Sequence, residues 1–223
     1  MNGGRACLIM VLLLAVIGGA NASALPLADV SIATNAEAIR RGADTVVTVC
    51  MNCHNLNYVK FRDLLDVGVS HDSLDLWKGD KDLNAPLIGS TPADMALEIF
   101  GVIPPDLSLI TAARAHGGRY VYSLLVGFYV DGSGNTDNHV FPGIKMPDVL
   151  GYTFASDNNE HQAIEQSAGD VAAFLVWAAD PNAGLRKKIG IAVIIYLIIL
   201  TTLLSFWKRR IWKGVSKRSS HGT

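Results

Sequence analysis

The sequence predicts a mostly α-helical domain with long loops, followed by one C-terminal transmembrane helix. Three observations support this fold class. Apolar and small residues recur at helical spacing in several stretches. No stretch alternates convincingly between apolar and polar residues, as a half-buried strand would. Residues 189–207 form a run of 19 uncharged residues, and a helix of that length, roughly 28 Å, approaches the hydrocarbon thickness of a bilayer.

The helices of the domain can be placed from their start and stop signals. The first is expected to begin after Asn35 and to lead into the cysteines near residue 50, and residues 58–67 are expected to continue helically. Thr91 is the expected cap of the next helix, with Pro92 in its first turn. Residues 108–130 are expected to form two helices split at Gly117–Gly118. Residues 131–151 read as loop, and residues 165–180 as a last helix stopped by Pro181.

The two ends of the chain carry separate hydrophobic segments. Residues 1–24 have the short positive start, apolar run and small residues of a cleaved signal peptide; an uncleaved anchor is the alternative. Residues 186–210 are the expected transmembrane anchor with basic flanks, rather than a buried core helix, and residues 211–223 a short cytoplasmic tail. Three basic residues precede the apolar run and six follow it, so the positive-inside rule places the C-terminus in the cytoplasm. The body, residues 25–185, is then exported to the periplasm.

Charge is distributed unevenly along the chain. All 20 acidic residues lie in residues 25–185, against nine basic ones, although the whole chain has a net charge of −1. An acidic body excludes nucleic acid as a partner and suits a basic soluble protein. Solubility alone is an equally good reason for such a surface.

Cys50, Cys53 and His54 form a C-x-x-C-H motif, which is the signature of covalent c-type haem attachment. Two cysteines at this spacing share one helical face, so both can bond to one haem while the next residue's imidazole reaches the iron. A thioredoxin-like redox pair would not need the histidine. A zinc site would need further ligands, and no other cysteine lies in the mature body.

An electron-carrying haem needs a sixth ligand, and Met146 is the best candidate. It lies in a proline-bounded loop, whereas Met51 is inside the attachment motif and Met95 reads as helix core. The remaining candidates are His71, His116, His139 and His161.

The segments around these residues resemble the cytochrome c1 family, the haem subunit of ubiquinol–cytochrome c oxidoreductase. The likeness covers nearly the whole mature chain. It is carried by "CMNCHNLNYVKFRDL", by "PPDLSLITAARAHGGRYVYSLLVGF", by "PGIKMP", and by "DVAAFLVWAADP" with the basic residues and anchor that follow.

The resemblance implies a cytochrome c-like helical domain with one haem c. Cys50 and Cys53 would attach it, and His54 and Met146 would ligate its iron. Arg114 and Tyr120 match positions that contact a haem propionate, and Pro105 would shape the loop against the haem edge.

The implied function is one-electron transfer, not catalysis by the chain itself. The expected donor is a Rieske iron–sulfur protein and the expected acceptor a soluble c-type cytochrome, with cytochrome b as the membrane neighbour. The location would be the bacterial inner membrane, or its mitochondrial equivalent. The alternatives are an electron-donor subunit of a terminal oxidase or nitric oxide reductase, a peroxidase with an open iron site, and a tethered adaptor without cofactor.

Overall fold

A computed structural model describes residues 27–219 of the chain, and side chains as far as residue 212. The predicted signal peptide, residues 1–24, lies outside the described residues. The chain divides into two compact units, one ending at Ala179 and the other beginning at Asp180. The domain limits predicted from the sequence remain predictions.

Helices are the main regular structure of the first unit and, with the long C-terminal helix, confirm the predicted fold class. Its helices are α1 (Ala36–Thr48), α2 (His71–Lys78), α3 (Ala93–Phe100), α4 (Ile110–Ala113), α5 (Gly118–Leu125) and α6 (Asn158–Ala179). Short 3-10 turns cover Cys50–Asn52, Phe61–Val67 and Tyr152–Phe154. Four short strands complete it: β1 (Leu56–Lys60), β2 (Pro86–Leu87), β3 (Phe128–Val130) and β4 (Thr136–Asn138).

The four strands lie in stretches where the sequence showed no convincing alternation. Residues 58–60, predicted to be helical, belong to β1, which pairs antiparallel with β2 through Leu56 opposite Leu87. Residues 128–130, predicted to belong to the second helix of segment 108–130, form β3 instead, because that helix ends at Leu125. β4 lies in the predicted loop, and the two strands make an antiparallel hairpin with Tyr129 opposite Asp137. These strands are two to five residues long, too short to establish a clear alternating pattern in the sequence.

Several predicted helix boundaries are found, but α2 was not predicted and α6 begins at Asn158, earlier than the predicted residue 165. Asn35 caps α1 by accepting a hydrogen bond from the Ala38 amide, as predicted. Residues 108–130 do split at Gly117–Gly118. At α3, however, Pro92 occupies the cap position, while the Thr91 hydroxyl donates to the Asn52 carbonyl. The prediction that Met95 belongs to the core was also wrong, because it is 50% exposed and Ala96 is the buried residue of α3.

The core is organised by the crossing of α1 and α6, the first and last helices of the unit. Gly42 makes the crossing close, since a Cβ there would lie 1.9 Å from the Asp170 carbonyl oxygen. Beside it, Arg41 donates from Nε and Nη2 to the two carboxylate oxygens of Asp170, at 2.7 and 2.9 Å. Asp170 is buried and Arg41 is partly exposed, so loss of Arg41 would leave the buried carboxylate without its cation. The crossing therefore holds both ends of the unit together.

The second unit contains one long helix, α7 (Ala183–Ser219). Its segment Ala183–Trp212 has a mean hydropathy of 2.6 in its most apolar window and is long enough to cross a membrane. Large apolar side chains are exposed from Ile189 to Trp212, which suits a lipid environment. The predicted C-terminal transmembrane helix is confirmed in this respect.

The α1–α6 crossing yields a stability prediction. Gly42→Ala should destabilise the protein by about 1–3 kcal/mol, because the added methyl group meets rigid backbone. The measurement is urea unfolding of the purified chain in detergent, followed by circular dichroism. Gly169→Ala on α6 is the matched control, since a Cβ at Gly169 meets nothing within 4 Å. Equal unfolding midpoints for the two variants would contradict the close crossing.

Candidate haem site

A cavity of about 540 Å³ lies within the first unit. Most of its wall is apolar, and aliphatic and aromatic side chains from α4, α5 and α6 line it together with the loops around residues 100–105 and 141–149. All seven residues singled out from the sequence line this one cavity: Cys50, Cys53, His54, Pro105, Arg114, Tyr120 and Met146. Residues almost one hundred positions apart are thus brought to a single site.

The end of α1 positions the two cysteines and the histidine. The helix stops at Thr48, and the chain tightens into the 3-10 turn at Cys50–Asn52. The Cys50 carbonyl then accepts hydrogen bonds from the amides of Cys53 and His54, at 3.1 and 2.9 Å. Both cysteines are free thiols. Burial, with a smaller contribution from Cys53, raises the pKa of Cys50 to about 12, so this thiol is protonated at neutral pH.

The imidazole of His54 is oriented by a backbone carbonyl. Nδ1 lies 2.8 Å from the carbonyl oxygen of Pro105 and donates its proton there, which leaves Nε2 with a free lone pair. Burial lowers the pKa of His54, while the Pro105 carbonyl and the charge of Asp106 oppose that shift. The ring is therefore neutral, which is the form that ligates a metal.

Pro105 is held in turn by a short ladder of hydrogen bonds between residues 54–58 and 105–108. The Leu107 amide donates to the Asn55 carbonyl at 2.8 Å. The Asn57 amide donates to Asp106 Oδ2 at 2.9 Å, and the Tyr58 amide to Ser108 Oγ at 3.1 Å. We call this arrangement the 54–58/105–108 ladder. It replaces the helical bonds that the sequence predicted for residues 58–60.

The loop that carries Met146 is fixed by three polar side chains that sequence reasoning missed. Buried Asn138 accepts from the amides of Val140 and Phe141 and donates to the Leu124 carbonyl of α5. Asp137 accepts from the Gly143 amide at 2.7 Å. Asp148 accepts from the Thr153 amide and hydroxyl, which closes the loop after Met146. The density of Asn and Asp in this stretch was the available signal, since both residues commonly organise turns.

Two cations line the otherwise apolar cavity. The guanidinium carbon of Arg114 lies 5.9 Å from the centre of the Tyr120 ring, so these two predicted residues do meet. Lys145, which the sequence reasoning did not single out, is the second cation of the wall. Among the described residues no Asp or Glu lines the cavity, so the two charged side chains of its wall suit a bound group with carboxylates.

The competing ligand candidates lie elsewhere. His71, His116, His139 and His161 do not line the cavity. Met51 is 8% exposed and packs in the hydrophobic core. Met95 is 50% exposed and belongs neither to that core nor to the cavity wall. Among residues 27–219, no group of three or more His, Cys, Asp or Glu side chains could hold a metal ion.

The donor set fits a haem. A flat, largely apolar macrocycle suits the walls, a neutral imidazole and a thioether are the common ligands of an electron-transfer haem iron, and two free thiols are available for attachment. The cations Arg114 and Lys145 suit its carboxylates.

Known proteins share this sequence pattern. A model of the Cytochrome C1 family matches residues 28–86 and 82–215. Cytochrome c1 of Rhodospirillum rubrum is 30% identical over 225 residues, covering 79% of this chain and 81% of that protein. The ammonia monooxygenase gamma subunit of Nitrosomonas europaea is 28% identical, with 80% and 84% covered. The cytochrome b/c1 of Bradyrhizobium diazoefficiens is 30% identical, with 78% and 33% covered.

The helical fold and its apolar, histidine-bearing cavity define a haem-binding electron-transport protein of the cytochrome class. The chain belongs to the cytochrome c1 family, as the match over most of its length shows. Membership implies a haem cofactor, and α7 fits a membrane anchor.

The loop around Met146 supplies a second prediction. Asn138→Ala should speed amide hydrogen exchange at Val140 and Phe141 by about tenfold or more, because losing a buried hydrogen-bonding partner costs about 1–3 kcal/mol. Hydrogen–deuterium exchange with mass spectrometry over residues 139–147 measures this. Asn135→Ala, at the exposed tip of the same hairpin, is the control. Similar exchange in the two variants would show that Asn138 does not hold the loop.

Proposed function

We propose that the chain is a membrane-anchored c-type cytochrome of a quinol–cytochrome c oxidoreductase complex. It receives single electrons from a Rieske iron–sulfur protein and passes them to a soluble c-type cytochrome. The observation that carries the proposal is that the cysteine pair, His54 and Met146 line one apolar cavity. The chain carries electrons and does not transform a substrate by itself.

In this proposal, each residue of the motif has a distinct role. Cys50 and Cys53 would attach one haem through thioethers, and His54 and Met146 would ligate its iron. When bound, the haem supplies a one-electron couple between ferric and ferrous iron. The chain's own contribution is to orient the imidazole of His54 through Pro105 and to keep water from the cavity with apolar walls.

Arg114 and Tyr120 hold a haem propionate in this proposal. A guanidinium can bind a carboxylate through two parallel hydrogen bonds, and Tyr120 adds a hydroxyl donor. The proximity of the two side chains across the cavity wall supports this pairing. No carboxylate among the described residues lines the wall, which supports the pairing too, because no lining anion competes for these donors.

The same walls and ligands tune the reduction potential. Methionine ligation raises the potential relative to a second histidine, and an apolar site disfavours the more highly charged ferric state. Both effects suit a carrier that accepts electrons from a quinol-linked donor.

The proposed setting is the inner membrane, with the haem domain in the periplasm and the C-terminus in the cytoplasm, or the mitochondrial equivalent. The basic residues after the apolar segment support this orientation. Cytochrome b is the proposed membrane neighbour, and a relative whose name joins cytochromes b and c1 supports it.

The ligand assignment is tested by replacing methionines. Met146→Ala should retain covalent haem on a denaturing gel, lose the absorption band of methionine ligation and lower the midpoint potential, because the thioether no longer favours ferrous iron. Met95→Ala is the control, since Met95 lies outside the cavity. A normal spectrum in Met146→Ala would overturn the assignment.

Replacing the attachment cysteines tests the covalent haem. Cys50→Ala and Cys53→Ala should each reduce the yield of haem-containing protein sharply, because the cavity walls lose the group around which they pack. The measurements are haem stain and protein yield together. A stable, folded and haem-free Cys53→Ala protein would contradict the proposal.

The partners are tested with the native complex. Pull-down from detergent should recover cytochrome b and an iron–sulfur subunit, and recovery of an oxidase or monooxygenase core would refute the assignment.

Electron transfer to a basic soluble cytochrome should slow as salt rises from about 0.1 M to 1 M, since the Debye length falls from about 10 Å to about 3 Å. An acidic cytochrome, which the excess of acidic residues in the body would repel, is the control.

A further inference from the structure

Asp106 directly follows the carbonyl that orients His54, and both of its carboxylate oxygens are engaged with backbone. Oδ2 accepts from the Asn57 amide at 2.9 Å, and Oδ1 from the Ser108 amide at 2.7 Å. No ion pair among the described side chains involves Asp106. Asp106 lies between two residues that line the cavity, Pro105 and Leu107, and its negative charge is not paired with a cation among the described side chains.

The position of the Pro105 carbonyl depends on the residues that follow it. Pro104 and Pro105 have no amide hydrogen, so neither can anchor this segment by donating a backbone hydrogen bond. Two sets of hydrogen bonds anchor the segment instead. The Leu107 amide donates to the Asn55 carbonyl, and the Asp106 carboxylate accepts from the amides of Asn57 and Ser108. Ser108 is fully buried, and its hydroxyl oxygen accepts from the Tyr58 amide, which adds a further hydrogen bond between the two segments.

We propose that Asp106 is a positioning residue that lowers the reduction potential of the haem iron through His54. The inference rests on the proposed role of His54 as an iron ligand.

Two effects of Asp106 act in the same direction. Asp106 holds the Pro105 carbonyl against the Nδ1–H group of His54. That hydrogen bond increases the basicity of the imidazole, and a more basic ligand stabilises ferric iron. The nearby anion also favours the more positive oxidation state. Asp106 thus offsets part of the increase in potential that a methionine ligand and apolar walls produce.

The test is Asp106→Asn in the full chain, purified in detergent with its haem. Asparagine is nearly isosteric, but it removes the charge and offers one acceptor oxygen where the carboxylate offers two. Spectroelectrochemical titration should show a higher midpoint potential than in the wild type, with the methionine-ligation band retained. Asp106→Glu, which keeps the charge, should shift the potential less.

Asp63→Asn is the matched control. Asp63 also accepts from a backbone amide of β1, that of Lys60 at 2.8 Å, but it makes no hydrogen bond to residues 105–108. This variant should lower stability toward urea and leave the potential unchanged. A merely structural role of Asp106 would make the two Asp→Asn variants behave alike.

An unchanged or lower potential in Asp106→Asn overturns the inference. If that variant does not accumulate with haem, Ser108→Ala carries the test, because it removes only the acceptor of the Tyr58 amide. It should raise the potential by a smaller amount, and no change overturns the inference. A wild-type protein without covalent haem would instead refute the proposed function, so the two failures can be told apart.

Discussion

The close crossing of α1 and α6 is the contact on which the rest of the haem domain depends. Gly42 lets the two backbones touch, and the Arg41–Asp170 pair fixes their rotation at the same level. Because α1 delivers Cys50 at its end and α6 supplies Val171 and Leu175 to the cavity wall, one crossing sets the distance between the attachment motif and the far wall. The irregular chain between the two helices can then follow the shape of the cofactor.

The cavity favours a large flat ligand because only a few polar groups interrupt its apolar wall. His54 is neutral and held by a carbonyl, and the two cations stand without any wall carboxylate. A hydrophobic pocket with so few donors binds a large flat ligand by area and fixes its orientation through those few polar contacts.

The sequence was most informative where chemistry is local. Four features follow from residue types at fixed spacing: the C-x-x-C-H motif, the Asn35 cap, the Gly117–Gly118 break and the C-terminal apolar run. It failed at residues 58–60, because the partners of β1 are distant in the chain: β2 at Pro86–Leu87, and Asp106 and Ser108 about fifty positions away. Asn138 and Lys145 were missed for the same reason: their importance comes from tertiary contacts, which a single polar residue in a loop does not reveal.

Two hydrogen bonds of the 54–58/105–108 ladder use only backbone from residues 57 and 58, and this has an evolutionary consequence. Asn57 and Tyr58 contribute only their amides, whereas Asp106 and Ser108 contribute their side chains. Tyr58 is 72% exposed, so its side chain can be exchanged without disturbing the bond that holds it. Selection can therefore change the exposed side chain at residue 58 while the hydrogen bonds that hold the Pro105 carbonyl are kept.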